Sequence, residues 1–137
     1  MTKRSAWLAI AILLAGALLA ACGGGEKSAG SSAGDPKRGK ELYSQTVIGP
    51  NAAPGCATCH STEPGKVLVG PSHAGIATKA TTVVPGMTAE EYLKESIINP
   101  NAHVTEGFTA GVMYQNYAKD LTEQEINDLV AYLLTLK

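Results

Sequence analysis

The sequence predicts an all-α domain with long loops. Two segments begin with a threonine that is followed three residues later by a glutamate, which is the capping-box pattern of a helix start. The last segment repeats apolar residues at helical spacing, and no segment shows the apolar–polar alternation of a strand. From Asp35 to Lys137 the chain has the usual size of one domain.

The first 21 residues are predicted to be a secretory signal peptide rather than part of this domain. Lys3 and Arg4 provide a positively charged start, and residues 6–21 are an uninterrupted apolar run. This run is shorter than the about 20 apolar residues of a membrane-spanning helix. An uncleaved membrane anchor is the alternative, and it too would hold the remaining chain outside the cytoplasm at a membrane surface.

The segment after the signal peptide is predicted to be a lipid-attached tether, residues 22–34. The ending Leu19-Ala20-Ala21-Cys22 resembles the lipobox of bacterial lipoproteins, which implies cleavage before Cys22 and lipid attachment to it. The residues that follow are mostly glycine, serine and alanine, a composition typical of a flexible linker.

The domain is predicted to begin with a helix that extends to about Gln45. Asp35 is a suitable N-cap, and Pro36 fits the first helical position because its missing N–H is not needed there. Gly39 and Tyr43 are four residues apart and therefore share one face of this helix.

The middle of the domain contains two predicted loops and one short helix. Residues 46–55 are rich in glycine, proline and asparagine, as loops are. Residues 72–79 allow a short helix, whereas residues 105–120 have no clear period and are predicted to form a long ordered loop.

The two capping boxes predict the remaining helices. Thr88 and Glu91 begin one that must end before Pro100, and Thr122 and Glu125 begin the final one. The apolar face of the final helix comprises Ile126, Leu129, Val130, Leu133 and Leu134.

Cys56, Cys59 and His60 form the pattern C-x-x-C-H, the attachment signature of c-type haem. Two thiols at this spacing add to the two haem vinyl groups, and the histidine that follows reaches the iron. A redox dithiol would accompany a βαβ pattern, which is missing from the sequence. A zinc site would need a second pair of ligands, which is also missing.

With this motif, residues 35–137 resemble the small monohaem class I cytochromes c. They are especially similar to bacterial membrane-anchored forms, including the cytochrome domains of oxidases and of alternative quinol-oxidising complexes. The resemblance depends on Gly39, Tyr43, Cys56–His60, Gly70-Pro71, Met113, the capped final helix, and the stretches Glu95–Pro100, Glu106–Phe108 and Val112-Met113.

The resemblance implies one covalent haem c and a role for each residue around it. Cys56 and Cys59 would carry the haem, and His60 and Met113 would be the axial iron ligands. The carbonyl oxygen of Pro71 would accept the Nδ1 proton of His60 and so orient its ring. Methionine–histidine ligation raises the reduction potential above that of a bis-histidine site.

The resemblance also implies a close crossing of the first and last helices, with Gly39 and Tyr43 against Leu129 and Tyr132. Three departures from the family pattern stand out. Tyr114 replaces the proline that usually follows the methionine ligand, the loop at residues 44–55 is longer than usual, and the domain has no tryptophan for a haem propionate. The tyrosines that would replace that tryptophan are Tyr92, Tyr114 or Tyr117.

Three other side chains compete with Met113 for the iron. Met87 precedes the Thr88 cap, where it can pack on the new helix as a hydrophobic staple. His73 is expected on a helix surface or at the haem rim, and His103 in solvent or near a haem edge.

The implied function is electron transfer without bond chemistry, so the chain is predicted to be no enzyme and to have no small-molecule substrate. It would pass electrons from a quinol-oxidising complex to a terminal oxidase or photosynthetic reaction centre, as a free carrier or as a subunit of such a complex. Its predicted location is the periplasmic face of a bacterial cell membrane. The alternative is a haem enzyme or gas sensor with an open distal site. Without Lys3 and Arg4, nine basic residues face twelve acidic ones, which argues against nucleic acid as a partner.

Overall fold

The computed structural model describes residues 33–137, which form five α-helices. The predicted signal peptide, Cys22 and nearly all of the predicted tether lie outside these residues. The helices are α1 (Pro36–Ser44), α2 (Ile76–Lys79), α3 (Ala89–Ile98), α4 (Tyr117–Asp120) and α5 (Glu123–Leu133). Within residues 33–137, none of the helices combines the length and apolar character needed to cross a bilayer.

The closest helix packing joins α1 to α5, as the resemblance implied. Gly39 is essential to it, because a Cβ at this position would overlap the Asp128 carbonyl group. One turn later the ring of Tyr43 meets that of Tyr132 edge-on, with the ring centroids 5.1 Å apart. Leu129 completes this contact and is 1 % exposed.

A buried carboxylate fixes the start of α1 on this interface. Asp128 is 2 % exposed and accepts hydrogen bonds from the Asp35 backbone N–H at 2.7 Å and from Arg38 and Gln124. Burial by itself would raise the pKa of Asp128, but these donors outweigh it, so the pKa lies below the ordinary value of 3.8. The carboxylate is therefore charged at neutral pH, and it connects the start of α1 to α5.

Both predicted capping boxes are present. Thr88 and Glu91 exchange side-chain and backbone hydrogen bonds at the start of α3, and Thr122 and Glu125 do the same at the start of α5. The caps fix where α3 and α5 begin. The inner faces of these two helices supply most of the core.

Two predicted loops contain regular structure that the sequence analysis missed. Within residues 44–55, β1 (Val47–Ile48) pairs antiparallel with β2 (Ala53–Pro54), and we call residues 47–54 the hairpin. At the end of the second predicted loop, residues 105–120, the chain forms the short helix α4 (Tyr117–Asp120). Both elements are too short to show a period in the sequence, and contacts far along the chain hold both of them in place.

Candidate haem-binding site

A cavity of about 550 Å³ lies between the loop after α1, helix α3 and the irregular segment before α4. Its size is within the range of cofactor pockets, and its lining is mainly apolar. The predicted haem residues Cys56, Cys59, His60, Tyr92 and Met113 all line it.

The C-x-x-C-H segment is a single turn closed by its own backbone. Cys56–Thr58 form a 3-10 helix, and the Cys56 carbonyl accepts hydrogen bonds from the N–H groups of Cys59 and His60. Both cysteines are free thiols. Burial raises the pKa of Cys56 to about 12, and an uncharged thioether would suit this apolar position.

The His60 ring is fixed from two sides. Its Nδ1 lies 2.8 Å from the Pro71 carbonyl oxygen, which can only accept, so Nδ1 carries the proton and Nε2 keeps a free lone pair. A Cβ at Gly70 would lie 2.8 Å from Nδ1 and would collide with the ring, which only glycine avoids. Burial lowers the pKa of His60, although the Pro71 contact partly opposes this, and the ring stays neutral.

His73 is half-buried and lines the cavity, a place that agrees with the expected rim position and not with a helix surface. Its ring stacks on the His60 ring, with centroids 4.0 Å apart and planes inclined by 15°. The Tyr43 hydroxyl donates to the His60 carbonyl oxygen at 3.3 Å and lies 3.1 Å from His73 Nδ1. Burial, together with the nearby His60 ring, lowers the pKa of His73 to about 3, so it packs as a neutral aromatic ring. The sequence did not indicate these contacts of His73 with His60 and Tyr43.

The two candidate methionines lie in different places. Met113 is half-buried and lines the cavity. Met87 packs against the hydrophobic core and is not among the cavity-lining residues of the described chain. The geometry therefore favours Met113 over Met87 as a ligand within this cavity.

His103 also lines the cavity, but it already has a partner. Its Nε2 lies 2.7 Å from a carboxylate oxygen of Glu95, and its ring lies 5.7 Å from that of Tyr92. The side chain is 24 % exposed, in keeping with a place at the cavity edge.

One buried polar atom of a residue beside this cavity has no hydrogen-bond partner within the described residues. Ser96 Oγ is buried without a hydrogen-bond partner, and Ser96 lines the cavity. Buried hydroxyls normally have partners, since an unpaired one costs about 1–3 kcal/mol. Two thiols, a neutral imidazole with a free nitrogen and a thioether around one apolar cavity fit a covalently bound haem.

Comparison with known proteins agrees with this chemistry. The family model "Cytochrome c" matches residues 36–137, well over half of the chain. A comparison of the chain with curated proteins found no match. The match and the five helices confirm the predicted class I cytochrome c fold. The chain belongs to the cytochrome c family, whose members bind haem c covalently and transfer electrons with it.

Proposed function

We propose that the chain carries a single haem c, attached through Cys56 and Cys59 and ligated by His60 and Met113, and that it is a membrane-tethered electron carrier. One observation carries this proposal. The His60 ring has its Nδ1 on the Pro71 carbonyl, and the residue borders the same cavity as both cysteines and Met113.

Each of these side chains has a definite task. Haem c supplies a one-electron couple between ferrous and ferric iron. The hydrogen bond from Nδ1 directs the free Nε2 of His60 toward a metal and makes the imidazole a better ligand. Met113 offers a soft, neutral thioether, which favours ferrous iron and so a higher reduction potential. If both His60 and Met113 hold the iron, the chain would leave no coordination position for a substrate.

The walls of the cavity would keep most of the cofactor out of water and leave one edge open. Val69, Val104 and Val112 line the cavity and are also 55, 41 and 56 % exposed, so the cavity opens to solvent beside them. Apolar side chains at such a mouth let a partner approach closely, and a short distance favours electron transfer.

The location and partners belong to the same proposal. We place the domain at the periplasmic face of a bacterial membrane, held by lipid on Cys22, between a quinol-oxidising complex and a terminal oxidase or reaction centre. The signal-like start, the lipobox and the resemblance to membrane-anchored forms support this. Mass spectrometry of the native protein should find a mature chain that begins with lipid-modified Cys22. An intact segment 1–21 would instead indicate an uncleaved anchor, and purification from native membranes would identify the partners.

The decisive test of the cofactor is retention under denaturation. Thioether bonds survive unfolding, so the unmutated chain should keep haem on a denaturing gel, and Cys56→Ser or Cys59→Ser should weaken or abolish that signal. Haem that extracts freely into acidic organic solvent would refute covalent attachment. Tight binding of carbon monoxide by the reduced protein would favour a gas sensor or haem enzyme over a six-coordinate carrier.

A further inference from the structure

The segment that carries Met113 has little regular structure of its own. Between α3 and α4 the chain forms no helix or strand within the described residues, and Gly107 and Gly111 adopt positive φ. The residue after Met113 is a tyrosine, so no proline restricts the backbone there. A ligand on such a segment must be held by contacts from elsewhere in the fold.

Tyr114 provides one of these contacts. Its hydroxyl donates to Asp120 Oδ2 at 2.5 Å, and its ring meets the Tyr117 ring edge-on with centroids 5.1 Å apart. Because Tyr114 is bonded directly to Met113, fixing its side chain limits the backbone angles available beside the ligand.

Asp120 is in turn held by the hairpin. Asn51, in the turn of the hairpin, donates to Asp120 Oδ1 at 2.6 Å, so both carboxylate oxygens have donors. Asp120 is 7 % exposed, and the hydrogen bonds from Tyr114 and Asn51 lower its pKa, which keeps it charged. The turn lies close to α4, since a Cβ at Gly49 would be 2.6 Å from the Asp120 carbonyl oxygen.

The hairpin is itself well anchored. Ile48 and Ala53 are 2 and 1 % exposed, and the Tyr117 hydroxyl donates to the Pro54 carbonyl oxygen at 2.6 Å. The turn also contains Ala52 at φ 54°, a left-handed conformation that an alanine adopts only when its surroundings require it. The hairpin is therefore a rigid element, able to fix the position of Asp120.

We propose that Asn51, Asp120 and Tyr114 form a distal clamp, in which the hairpin holds Met113 on the iron in place of the missing proline. The clamp joins two of the three departures of this chain from the family pattern, the longer loop and the tyrosine after the methionine. The three clamp residues act through Met113 and are positioning residues. The inference rests on the proposed function, because it takes Met113 to be an iron ligand.

The test compares variants of the full-length holoprotein. Tyr114→Phe removes only the hydroxyl, and Asn51→Ala removes the donor at the hairpin turn. A hydrogen bond to a charged group is strong enough that Tyr114→Phe should lower the ratio of methionine-bound to methionine-free iron about tenfold, and Asn51→Ala by a smaller factor. The ferric sulfur-to-iron absorption band should weaken, and the apparent affinity of the ferrous protein for carbon monoxide should rise by the same factor.

A matched control separates ligand positioning from stability. Asp128→Ala removes the other buried aspartate with several donors, on the α1–α5 interface, and should lower the free energy of unfolding without changing the band or the carbon monoxide affinity. The double variant Tyr114→Phe/Asp120→Ala should show non-additive effects, since both changes break one network. A band and affinity unchanged in Tyr114→Phe and Asn51→Ala would overturn the clamp alone. Absence of the band in the unmutated protein would instead overturn the ligand assignment.

Discussion

The two walls of the cavity are built in different ways. The wall of Cys56, Cys59 and His60 is built mainly from one turn of backbone and from the hydrogen bond to Pro71, eleven residues on. The wall of Met113 is irregular, and the side chains that steady it come from the hairpin and from α4. A local wall is difficult to alter without losing the cofactor, whereas a wall assembled from distant segments can be adjusted one contact at a time.

The strongest test of the local wall is Gly70→Ala. The added Cβ would lie within 3.1 Å of three atoms of the His60 ring, which cannot move aside without losing Pro71. We expect less covalent haem per protein, because a displaced His60 would hold the haem poorly before the thioether bonds form. About 1.4 kcal/mol of strain against that non-covalent complex would lower its equilibrium constant tenfold.

Gly65→Ala is the matched control, because a Cβ there meets nothing within 4 Å. Gly65 has φ +71°, so the change should cost about 1–2 kcal/mol of stability and leave haem content unchanged. Equal haem loss in both variants would mean that the close contact between Gly70 and the His60 ring does not control haem attachment.

The next test, Met113→His, concerns the wall of Met113. An imidazole stabilises ferric iron more than a thioether does, so the reduction potential should fall by roughly 100 mV or more, within the about 0.8 V that axial ligands span. A redox titration measures the change. Met87→His should leave the potential almost unaltered, because Met87, unlike Met113, is not among the described residues that line the cavity. The reverse pattern would assign the ligand to Met87.

A change outside both walls should affect stability but not the cofactor. The lowered pKa of Asp128 means that its stabilising effect is fully present above the ordinary pKa of 3.8 and is lost as pH falls through the lower folded-state value. Asp128→Asn should remove about 1–3 kcal/mol at neutral pH and flatten the loss of stability in acid. Urea unfolding at a series of pH values measures this, with the reduction potential as the control. A shifted potential would show that the α1–α5 interface also controls the site.

The smallest effect is expected from His103→Gln at the cavity edge. The pairing of His103 with Glu95 is partly exposed, and such pairs contribute about 0–1 kcal/mol. The sulfur-to-iron band should persist, because His103 is occupied by Glu95. An unmutated protein without the band, together with a reduction potential that changes in His103→Gln and not in Met113→Ala, would indicate bis-histidine ligation.

The contrast between the walls also explains what the sequence could predict. The capped helices, the C-x-x-C-H turn and the all-α fold follow from patterns of a few consecutive residues, and the fold is confirmed. The roles of the site residues stay predictions, although the structure brings Cys56, Cys59, His60 and Met113 to one cavity.

The features missed by the sequence analysis depend on distant partners. The hairpin has strands of two residues each, too short for an alternating pattern, and its contact with Asp120 spans 69 positions. The contact of His73 Nδ1 with the Tyr43 hydroxyl spans 30 positions. A pattern of a few consecutive residues cannot indicate side-chain contacts between positions so far apart.

The contact of Asp35 with Asp128 has a topological consequence. It joins positions 93 apart and so closes almost the whole domain into one loop. The entropy of loop closure grows slowly, by about 0.6 kcal/mol for each doubling of length, so this wide closure costs little more than a short one. A protease cut in the exposed stretch at Val67 would yield one fragment that contains α1 and another that contains α5. Because the packing of α1 on α5 would still hold the two fragments together, we expect the nicked chain to stay in one piece under native conditions.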